Sequence, residues 1–321
     1  MNQLIAIIAG EPNSINSEII AKAWKKKKKL KNIFVIGNYS ILNKQMLKLG
    51  IKIPLAKIKS FQEFKKIDKL LVLDVPLKFK SEFSINPSDA KIYIFKCFDV
   101  AHNLALKKKI KGFINAPIDK KIFNKKYLGV TEYLAAKNKI KKKEVMLIYN
   151  KNLSVVPLTT HLEIKNVTNK ITSKLIRTKI LTLNKYYFKL FKKKPKIAIL
   201  GLNPHNSENR KDSVENKIIK PTVQELKKLK ININGPFPAD TVFNNQKKFA
   251  YNVIVGMYHD QVLAPFKALY GYDAINLTLG LQYLRVSPDH GIAHDIIGLN
   301  KANPDSLICS INFLNKINDK S

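Results

Sequence analysis

Residues 197–205 read Ile-Ala-Ile-Leu-Gly-Leu-Asn-Pro-His, an apolar run that ends in a polar turn containing a histidine. The same arrangement recurs at residues 153–161, which end in Thr-Thr-His, and at residues 253–261, which end in Tyr-His-Asp-Gln. A short apolar run followed by turn-forming residues is typical of a buried strand. Ligands of open α/β sheets bind at the carboxyl ends of parallel strands, so the pattern predicts three histidines at a binding edge.

These three histidines, His161, His205 and His259, are predicted to bind one divalent metal ion. Imidazole is the commonest metal-binding side chain, and three protein ligands leave one coordination position open for a substrate. The alternative is that each histidine is a capped loop residue or a core residue. A single histidine would favour that alternative, whereas three histidines in the same setting favour the metal.

Strand and helix patterns alternate along the whole chain. Strands are predicted at 4–9, 33–37, 70–74, 112–116, 145–149, 153–158, 197–202, 253–257 and 274–279, and helices at 13–24, 88–109, within 162–183, 222–230 and 305–315. This alternation predicts an α/β protein with open, mostly parallel sheets and helices on both faces. A chain of 321 residues exceeds the usual size of one core. We therefore predict two lobes, one of residues 1–125 plus 262–321 and one of residues 126–261.

The glycine pattern lacks two common nucleotide-binding motifs. None of the 12 glycines forms a Gly-x-Gly pair. The glycine fingerprint of doubly wound dinucleotide-binding domains is therefore absent, and so is the P-loop. A nucleotide cofactor would have to be bound by other means.

The formal net charge of +35 suggests nucleic-acid binding, but the kind of basic residue argues against it. Only three of the 58 basic residues are Arg, namely Arg177, Arg210 and Arg285. Nucleic-acid sites favour Arg because its planar fork makes paired hydrogen bonds to bases and phosphates. The lysine excess is typical of AT-rich coding, and we predict no nucleic-acid partner. A non-enzymatic anion-binding or nucleic-acid-binding protein is the alternative.

Membrane and disulfide signals are absent from the sequence. No apolar run reaches the roughly 18 residues of a membrane span. The apolar residues 4–9 lack the basic leader of a secretory signal. The two cysteines, Cys97 and Cys309, lack metal-site spacing. We therefore predict a cytoplasmic protein with no disulfide frame and no membrane partner.

Several longer motifs occur in an order that is typical of one family. They are Gly10-Glu11-Pro12, Asn115-Ala116-Pro117, Gly129-x-Thr131-Glu132, Thr159-Thr160-His161, Gly201-x-Asn203-Pro204-His205, Gly235-Pro-x-Pro-Ala-Asp-Thr241, Tyr258-His259-Asp260-Gln261 and Asn276-x-Thr278-Leu-Gly-Leu281. With them the chain resembles the 4-hydroxythreonine-4-phosphate dehydrogenase family of vitamin B6 synthesis. The resemblance implies an isocitrate-dehydrogenase-like, two-lobed α/β/α fold. It also implies a homodimer with the active site in the interlobe cleft at the dimer interface.

The resemblance further implies NAD, one divalent metal ion (Zn, Mg or Co) and a small phosphorylated substrate. The metal ligands it implies are His161, His205 and His259, with the site completed across the dimer interface. The substrate-binding positions it implies are Thr131, Lys267, Asn276 and Arg285. A lysine and a retained arginine suit an anionic substrate, because a phosphate accepts both a point charge and a bidentate fork.

A wider resemblance concerns residues 290–304, which are similar to the adenosine loop of isopropylmalate and isocitrate dehydrogenases. By that likeness the adenosine site is lined by His290, Gly291, Asp295 and Asn303. A carboxylate at Asp295 suits a ribose 2′-hydroxyl and repels a 2′-phosphate, which favours NAD over NADP. The alternative is that Asp295 is a helix-capping or exposed acid.

The implied reaction is the oxidation of 4-phosphooxy-L-threonine at C3. The product, 2-amino-3-oxo-4-phosphooxybutanoate, decarboxylates to 3-amino-2-oxopropyl phosphate in pyridoxal 5'-phosphate biosynthesis. Lys120 and Asp240 are both candidates for the proton relay, and the sequence does not rank them. Each has the alternative role of a hydrogen bond to a metal-binding histidine.

Two positions depart from the family pattern. Val130 stands where the family usually has a histidine that contacts the substrate. Ser14-Ile15-Asn16 replaces a Gly-Ile-Gly turn, which weakens the expectation of a close backbone approach there. Val130 leaves open a second interpretation, a dehydrogenase of the same fold that acts on a phosphorylated sugar acid such as 4-phosphothreonate or on a cis-dihydrodiol.

Overall fold

Two units, each built around its own set of parallel strands, make up the chain. The structure is a computed structural model that describes residues 4–26, 32–65, 67–123, 126–140, 142–245, 248–271 and 273–317. The first unit comprises Met1–Lys125 and Gln282–Asp319, and the second comprises chiefly Lys126–Leu281.

Strands and helices alternate through both units, as the sequence predicts. The strands of the described residues are β1 (Leu4–Ile8), β2 (Ile33–Gly37), β3 (Leu55–Ile58), β4 (Leu70–Asp74), β5 (Ile110–Asn115), β6 (Val145–Tyr149), β7 (Ser154–Pro157), β8 (Ile197–Leu200), β9 (Ile233–Phe237), β10 (Val253–Gly256), β11 (Ile275–Leu279) and β12 (Leu284–Pro288). The α-helices of the same residues are α1 (Asn16–Lys26), α2 (Tyr39–Lys48), α3 (Pro87–Leu106), α4 (Val130–Lys137), α5 (Ser173–Phe191), α6 (Lys220–Lys228), α7 (Ala239–Asn245), α8 (His259–Tyr270) and α9 (Asp305–Lys316).

The strands of the first unit are all parallel and follow the order β3-β4-β2-β1-β5-β12. From β1 the chain continues to β2 on one side, whereas β5 and β12 lie on the other side of β1. The winding direction therefore reverses between β1 and β5. Such a topological switch point opens a crevice at the carboxyl ends of the two strands, where α/β proteins bind ligands.

The strands of the second unit follow the order β11-β6-β7-β10-β8-β9. The four strands β7, β10, β8 and β9 are parallel. Strand β6 is antiparallel to both of its neighbours, β11 and β7. The predicted metal histidines follow β7, β8 and β10, which are adjacent strands with β10 in the centre.

The lobe boundary predicted at residue 262 differs from the division in the structure, where the chain returns to the first unit at Gln282. The apolar face of α8 is the physical reason. Val262, Leu263 and Phe266 pack in one buried cluster with Val155 and Ile254 of the second unit. Strand β11 then pairs antiparallel with β6, so residues up to 281 remain in that unit.

Several observed elements were not predicted, among them the helices α2, α4, α7 and α8. The strands predicted at 33–37, 70–74 and 145–149 are confirmed with the same bounds. The prediction missed β3, β9 and β12, because β3 is largely half-exposed and β9 contains Gly235 and Pro236. A glycine and a proline weaken the strand signal and are tolerated at an edge. Helix α5 begins at Ser173, inside the range 162–183 that was predicted to hold a helix, and Thr172 caps it by accepting from the Leu175 N–H at 3.1 Å.

Two further predictions concern membranes and cysteines. Within the described ranges, no helix has both the length and the hydrophobicity that crossing a membrane would require. Cys97 is buried, Cys309 is partly buried, and both are free thiols.

Candidate metal centre and active site

The ends of β7 and β10 are joined by three hydrogen bonds. The Leu158 N–H donates to the Gly256 carbonyl at 2.8 Å, and the Thr159 N–H donates to the Met257 carbonyl at 3.2 Å. The Thr159 hydroxyl donates to the same Met257 carbonyl at 2.7 Å. Because the two strand ends are held in register, the residues that follow them, His161 and His259, lie side by side.

The separation of these two histidines suits a shared metal ion. The ring centroids of His161 and His259 are 5.7 Å apart. Two imidazoles bound to one tetrahedral metal through nitrogens at about 2.0–2.1 Å place their ring centroids about 5 Å apart. His161 has a left-handed backbone with φ of 32°, and His259 is the first residue of α8. The ring separation is therefore close to that of two imidazoles on one divalent metal.

His205 follows the neighbouring strand β8, and Gln261 links that strand to β10. The Gln261 side chain accepts from the Met257 N–H at 2.7 Å and donates to the Gly201 carbonyl at 2.7 Å. The His205 side chain is 68% exposed, and its Nδ1 lies 2.9 Å from Oε1 of Glu208. No group of three His, Cys, Asp or Glu side chains in the described part of the chain is arranged to hold a metal. The structure thus pairs His161 with His259 and leaves His205 at the adjacent strand end.

Two of the predicted substrate-binding residues lie together in the second unit. The Thr131 side chain is buried in the first turn of α4, and its hydroxyl is 3.2 Å from the hydroxyl of Thr278 on β11. Asn276 precedes Thr278 by two residues, so the two side chains lie on the same face of β11. The Oδ1 atom of Asn276 is buried without a hydrogen-bond partner among the described residues. Thr278 was not predicted as a site residue, although it belongs to the quoted Asn276-x-Thr278 motif.

Lys267 and Arg285 lie in different units. Lys267 is half-buried in the last turn of α8. Arg285, on β12, is only 4% exposed, and its Nε donates to Oδ1 of Asn115 at 2.7 Å. Asn115 is the last residue of β5, so the buried guanidinium is held at the carboxyl end of that strand. The Asn115-Ala116-Pro117 motif was the signal that marked Asn115.

The switch point of the first unit carries a buried acid, Glu11. The Glu11 N–H donates to the Pro117 carbonyl at 3.0 Å, and its carboxylate accepts from the N–H groups of Asn13 and Asp119. Burial raises the pKa of Glu11, and the nearby Asp119 carboxylate raises it further, whereas His294 and the N–H donors oppose the rise. Lys120 begins a short 3-10 turn directly after Asp119 and is exposed. Glu11 and Asp119 were not predicted as site residues.

The predicted adenosine loop is fastened at its far end to α1. Oε1 of Glu18 accepts from the Ala302 N–H at 2.6 Å, and Lys22 Nζ donates to the carbonyls of Asn300 and Ala302 at 2.9 and 3.0 Å. Asn303 accepts from the Asp305 N–H at 2.9 Å and so stabilises the start of α9.

The part of this loop from residue 291 to residue 295 is exposed or half-buried. His290 Nδ1 lies 2.9 Å from the Gly291 carbonyl, and a methyl group added at Gly291 would meet no heavy atom within 4 Å. Asp295 is exposed in the turn His294–Ile296. An accessible carboxylate beside open backbone fits the ribose of a dinucleotide.

The two proton-relay candidates remain unranked. Asp240 is exposed in the first turn of α7, and Lys120 is exposed in the first unit. Val130 is the first residue of α4 and is partly buried, next to Thr131.

Comparison with known proteins agrees with the motifs. Residues 29–314 match the family described as pyridoxal phosphate biosynthetic protein PdxA. The chain belongs to this family. A relative named 4-hydroxythreonine-4-phosphate dehydrogenase, from Sulfurihydrogenibium sp., is 38% identical over 312 residues and covers 95% of each chain. A second relative of that name, from Aquifex aeolicus, is 36% identical over 331 residues and covers 100% of each chain.

Solved structures agree on the fold. A crystal structure of 4-hydroxythreonine-4-phosphate dehydrogenase from Klebsiella pneumoniae is 29% identical, covers 98% of each chain and superposes with a TM-score of 0.85. Isocitrate dehydrogenase from Methylococcus capsulatus, at 11% identity, covers 98% of this chain and 85% of its own with a TM-score of 0.50. The predicted isocitrate-dehydrogenase-like α/β fold is therefore confirmed, and the family is a family of dehydrogenases.

Proposed function

We propose that the protein is a cytoplasmic, NAD- and divalent-metal-dependent dehydrogenase that oxidises 4-phosphooxy-L-threonine at C3 for pyridoxal 5'-phosphate biosynthesis. One observation carries the proposal beyond family membership. Three histidines follow three adjacent parallel strands, and hydrogen bonds from Thr159 and Gln261 tie those strand ends together. This arrangement is expected of a metal site and not of histidines that only cap loops.

The metal is proposed to be held by His161 and His259, with His205 as the third ligand in a homodimer. A divalent ion bound there would act as a Lewis acid that lowers the pKa of the substrate C3 hydroxyl. Three imidazoles leave a coordination position for that hydroxyl. The His205 side chain is exposed, so its imidazole is accessible to a metal ion that lies outside its own turn.

The substrate is proposed to be held by Thr131, Lys267, Asn276 and Arg285. Lys267 supplies a point charge and Arg285 a bidentate fork for the phosphate. Thr131 and Asn276 supply hydroxyl and amide groups, and the buried, unpaired Oδ1 of Asn276 supports a polar ligand at that position. A buried acceptor without a partner is costly unless a ligand completes it.

The chemistry is a balanced two-electron oxidation. Lys120 or Asp240 is proposed to take the proton of the C3 hydroxyl, and bound NAD would supply the acceptor for the hydride from C3. The adenosine half of NAD is proposed to lie at His290, Gly291, Asp295 and Asn303. The 2-amino-3-oxo-4-phosphooxybutanoate formed is a β-keto acid, and loss of carbon dioxide gives 3-amino-2-oxopropyl phosphate.

The activity is tested by NADH formation from 4-phosphooxy-L-threonine with purified, metal-loaded protein. We expect turnover with NAD, loss of turnover after chelation, and recovery when a divalent metal is restored. A clear preference for 4-phosphothreonate over 4-phosphooxy-L-threonine would contradict this substrate assignment. It would favour the alternative suggested by Val130, a dehydrogenase that acts on a phosphorylated sugar acid.

The metal site is tested with His161→Ala, His205→Ala and His259→Ala. Each is expected to lower metal content and activity together. His102→Gln is the control, because His102 is buried in the first unit, with Nδ1 2.7 Å from the Tyr283 hydroxyl. The control is expected to lose stability but to keep its metal content. Full metal occupancy and normal turnover in His205→Ala would remove that residue from the site.

A further inference from the structure

A left-handed turn carries His205. Residues 205–209 have φ values between 47° and 57°, and none of them is glycine. A left-handed backbone costs an L-amino acid on the order of 1 kcal/mol or more per residue. Five such residues in succession are therefore stable only if tertiary contacts hold them, and strained segments of this kind cluster at functional sites.

Glu215 supplies the central contacts to this turn. Its side chain is fully buried, and Oε1 accepts from the N–H groups of Leu202 and Asn203 at 2.9 and 2.8 Å, just before the turn. Its Oε2 accepts from the Ser207 hydroxyl at 3.0 Å, in the middle of the turn. One buried charge thus joins the entry of the turn to its centre. Hydrogen bonds to an ionised acceptor are about twice as strong as neutral ones.

Neighbouring side chains complete the anchorage. Asn206 donates to the Pro236 carbonyl at 3.1 Å, and Asn216 donates to the carbonyls of Asn209 and Arg210 at 2.6 and 2.7 Å. Glu215 itself begins a π-helical turn, Glu215–Ile219, an irregularity that is frequent at functional sites. Most of the turn is therefore fixed to the unit, while the His205 ring extends into solvent.

We propose that Glu215 is a positioning residue for metal binding, which holds the left-handed turn so that His205 is presented to the metal. The inference rests on the proposed metal role of His205 and deepens it. Glu215 is not itself a ligand, since both of its carboxylate oxygens already accept hydrogen bonds within the unit. Residues that orient metal ligands in this way typically change metal affinity by about 10–100-fold when they are replaced.

The test titrates metal-free, full-length protein with Co²⁺ alone and follows visible absorption of the bound ion. Glu215→Ala is expected to weaken Co²⁺ binding by about 10–100-fold. Glu215→Gln keeps one acceptor oxygen and is the safer variant for folding, and its loss of Co²⁺ affinity is expected to be smaller. Asp212→Ala is the matched control, because it removes an exposed acid from the same loop, and it is expected to bind Co²⁺ as the wild type does.

A double-variant comparison separates positioning from general stability. In a His205→Ala background, Glu215→Gln is expected to cause no further loss of Co²⁺ affinity. Amide exchange in residues 201–210 of the metal-free protein should still be faster in Glu215→Gln than in the control. Equal Co²⁺ affinities for wild type and both Glu215 variants would overturn the inference, and so would an equal loss with and without His205.

The outcomes also distinguish this inference from the proposed function. If His205→Ala binds Co²⁺ as tightly as the wild type, the proposed metal ligand is wrong and the inference falls with it. If His205→Ala weakens binding and the Glu215 variants do not, the metal site stands and only the inference fails.

Discussion

Glu11 in the first unit and Glu215 in the second are both buried acids that join loops at the carboxyl ends of parallel strands. Glu11 accepts from two backbone N–H groups and lies near the Asp119 carboxylate, and its pKa is raised, with burial as the largest cause. For Glu215, burial also acts to raise the pKa, but the N–H of Asn203, the Ser207 hydroxyl and the N–H of Leu202 outweigh it, and the pKa is lowered. The comparison shows that donors and neighbouring charges, and not burial alone, decide whether a buried acid favours its ionised form.

The glycines beneath the two loops differ as well. Gly10 has φ of 73°, and a methyl group there would lie 2.6 Å from the Pro117 carbonyl oxygen. A methyl group at Gly201 would instead collide with the side-chain amide of Asn206. Backbone cannot yield as a side chain can, so the first loop is the less tolerant of the two.

The largest expected effect is therefore that of Gly10→Ala. It combines left-handed strain with a backbone clash and should destabilise the protein by about 3–4 kcal/mol. Gly201→Ala should cost about 1–2 kcal/mol, because Asn206 can move. Denaturant unfolding measures both. Gly50→Ala is the control for strain alone, since Gly50 has φ of 70° in open space, and it should cost about 1 kcal/mol. Equal losses at Gly10 and Gly50 would contradict the steric argument.

The second prediction concerns the opposite pKa shifts. Because the folded-state pKa of Glu215 is lowered, its ionised side chain stabilises the fold above pH 4.5, and this stabilisation is lost as the pH falls through the folded pKa. Glu215→Gln should therefore lower the free energy of unfolding by about 1–3 kcal/mol near pH 7 and by less in acid. A raised pKa makes ionisation of Glu11 unfavourable, a cost absent below 4.5 and complete above the folded pKa. The free energy of unfolding of Glu11→Gln should therefore increase relative to that of the wild type as the pH rises. Urea unfolding measured from below pH 4 up to pH 7 gives both slopes, and slopes of the same sign would refute the comparison.

Arg285→Lys tests the buried cation of the first unit. The variant keeps the charge but loses the fork and the bond from Nε to Asn115. We expect KM for the phosphorylated substrate to rise by about 10–100-fold, in line with the loss of one or two hydrogen bonds to a charged group. Steady-state kinetics at saturating NAD measures the change. Lys267→Arg in the second unit, which keeps the charge, should raise KM less. An unchanged KM for Arg285→Lys would contradict the proposal that Arg285 binds the phosphate.

The smallest expected effect is on cofactor choice. Asp295→Asn removes the charge that should repel a 2′-phosphate, so kcat/KM with NADP should increase relative to kcat/KM with NAD. Because Asp295 is exposed and solvent screens its charge, we expect a gain of about tenfold at most. The ratio of kcat/KM for the two cofactors measures it at low and high salt. A wild-type enzyme that uses both cofactors equally would remove the adenosine role from residues 290–304.

Local patterns were sufficient for the central strands and for the residues that follow them. Strands such as β2, β4 and β6 are continuous apolar runs, and each histidine motif directly follows such a run, so period and turn chemistry identify them without tertiary information. Edge strand β9 escaped detection because Gly235 and Pro236 interrupt its pattern. The acids Glu11 and Glu215 escaped because their roles depend on donors from loops that are distant in sequence or irregular in backbone.

The sequence by itself determined the α/β alternation, the family and the identity of the histidine motifs, because these depend on short-range periodicity and on quoted residues. The tertiary structure alone decided the strand order β7-β10-β8, the return of the chain to the first unit at Gln282, and the pairing of His161 with His259. It also decided the left-handed turn at His205, which no local preference favours. Long-range strand pairing and buried hydrogen bonds from Gln261 and Glu215 set these features, and neither is encoded in a local pattern.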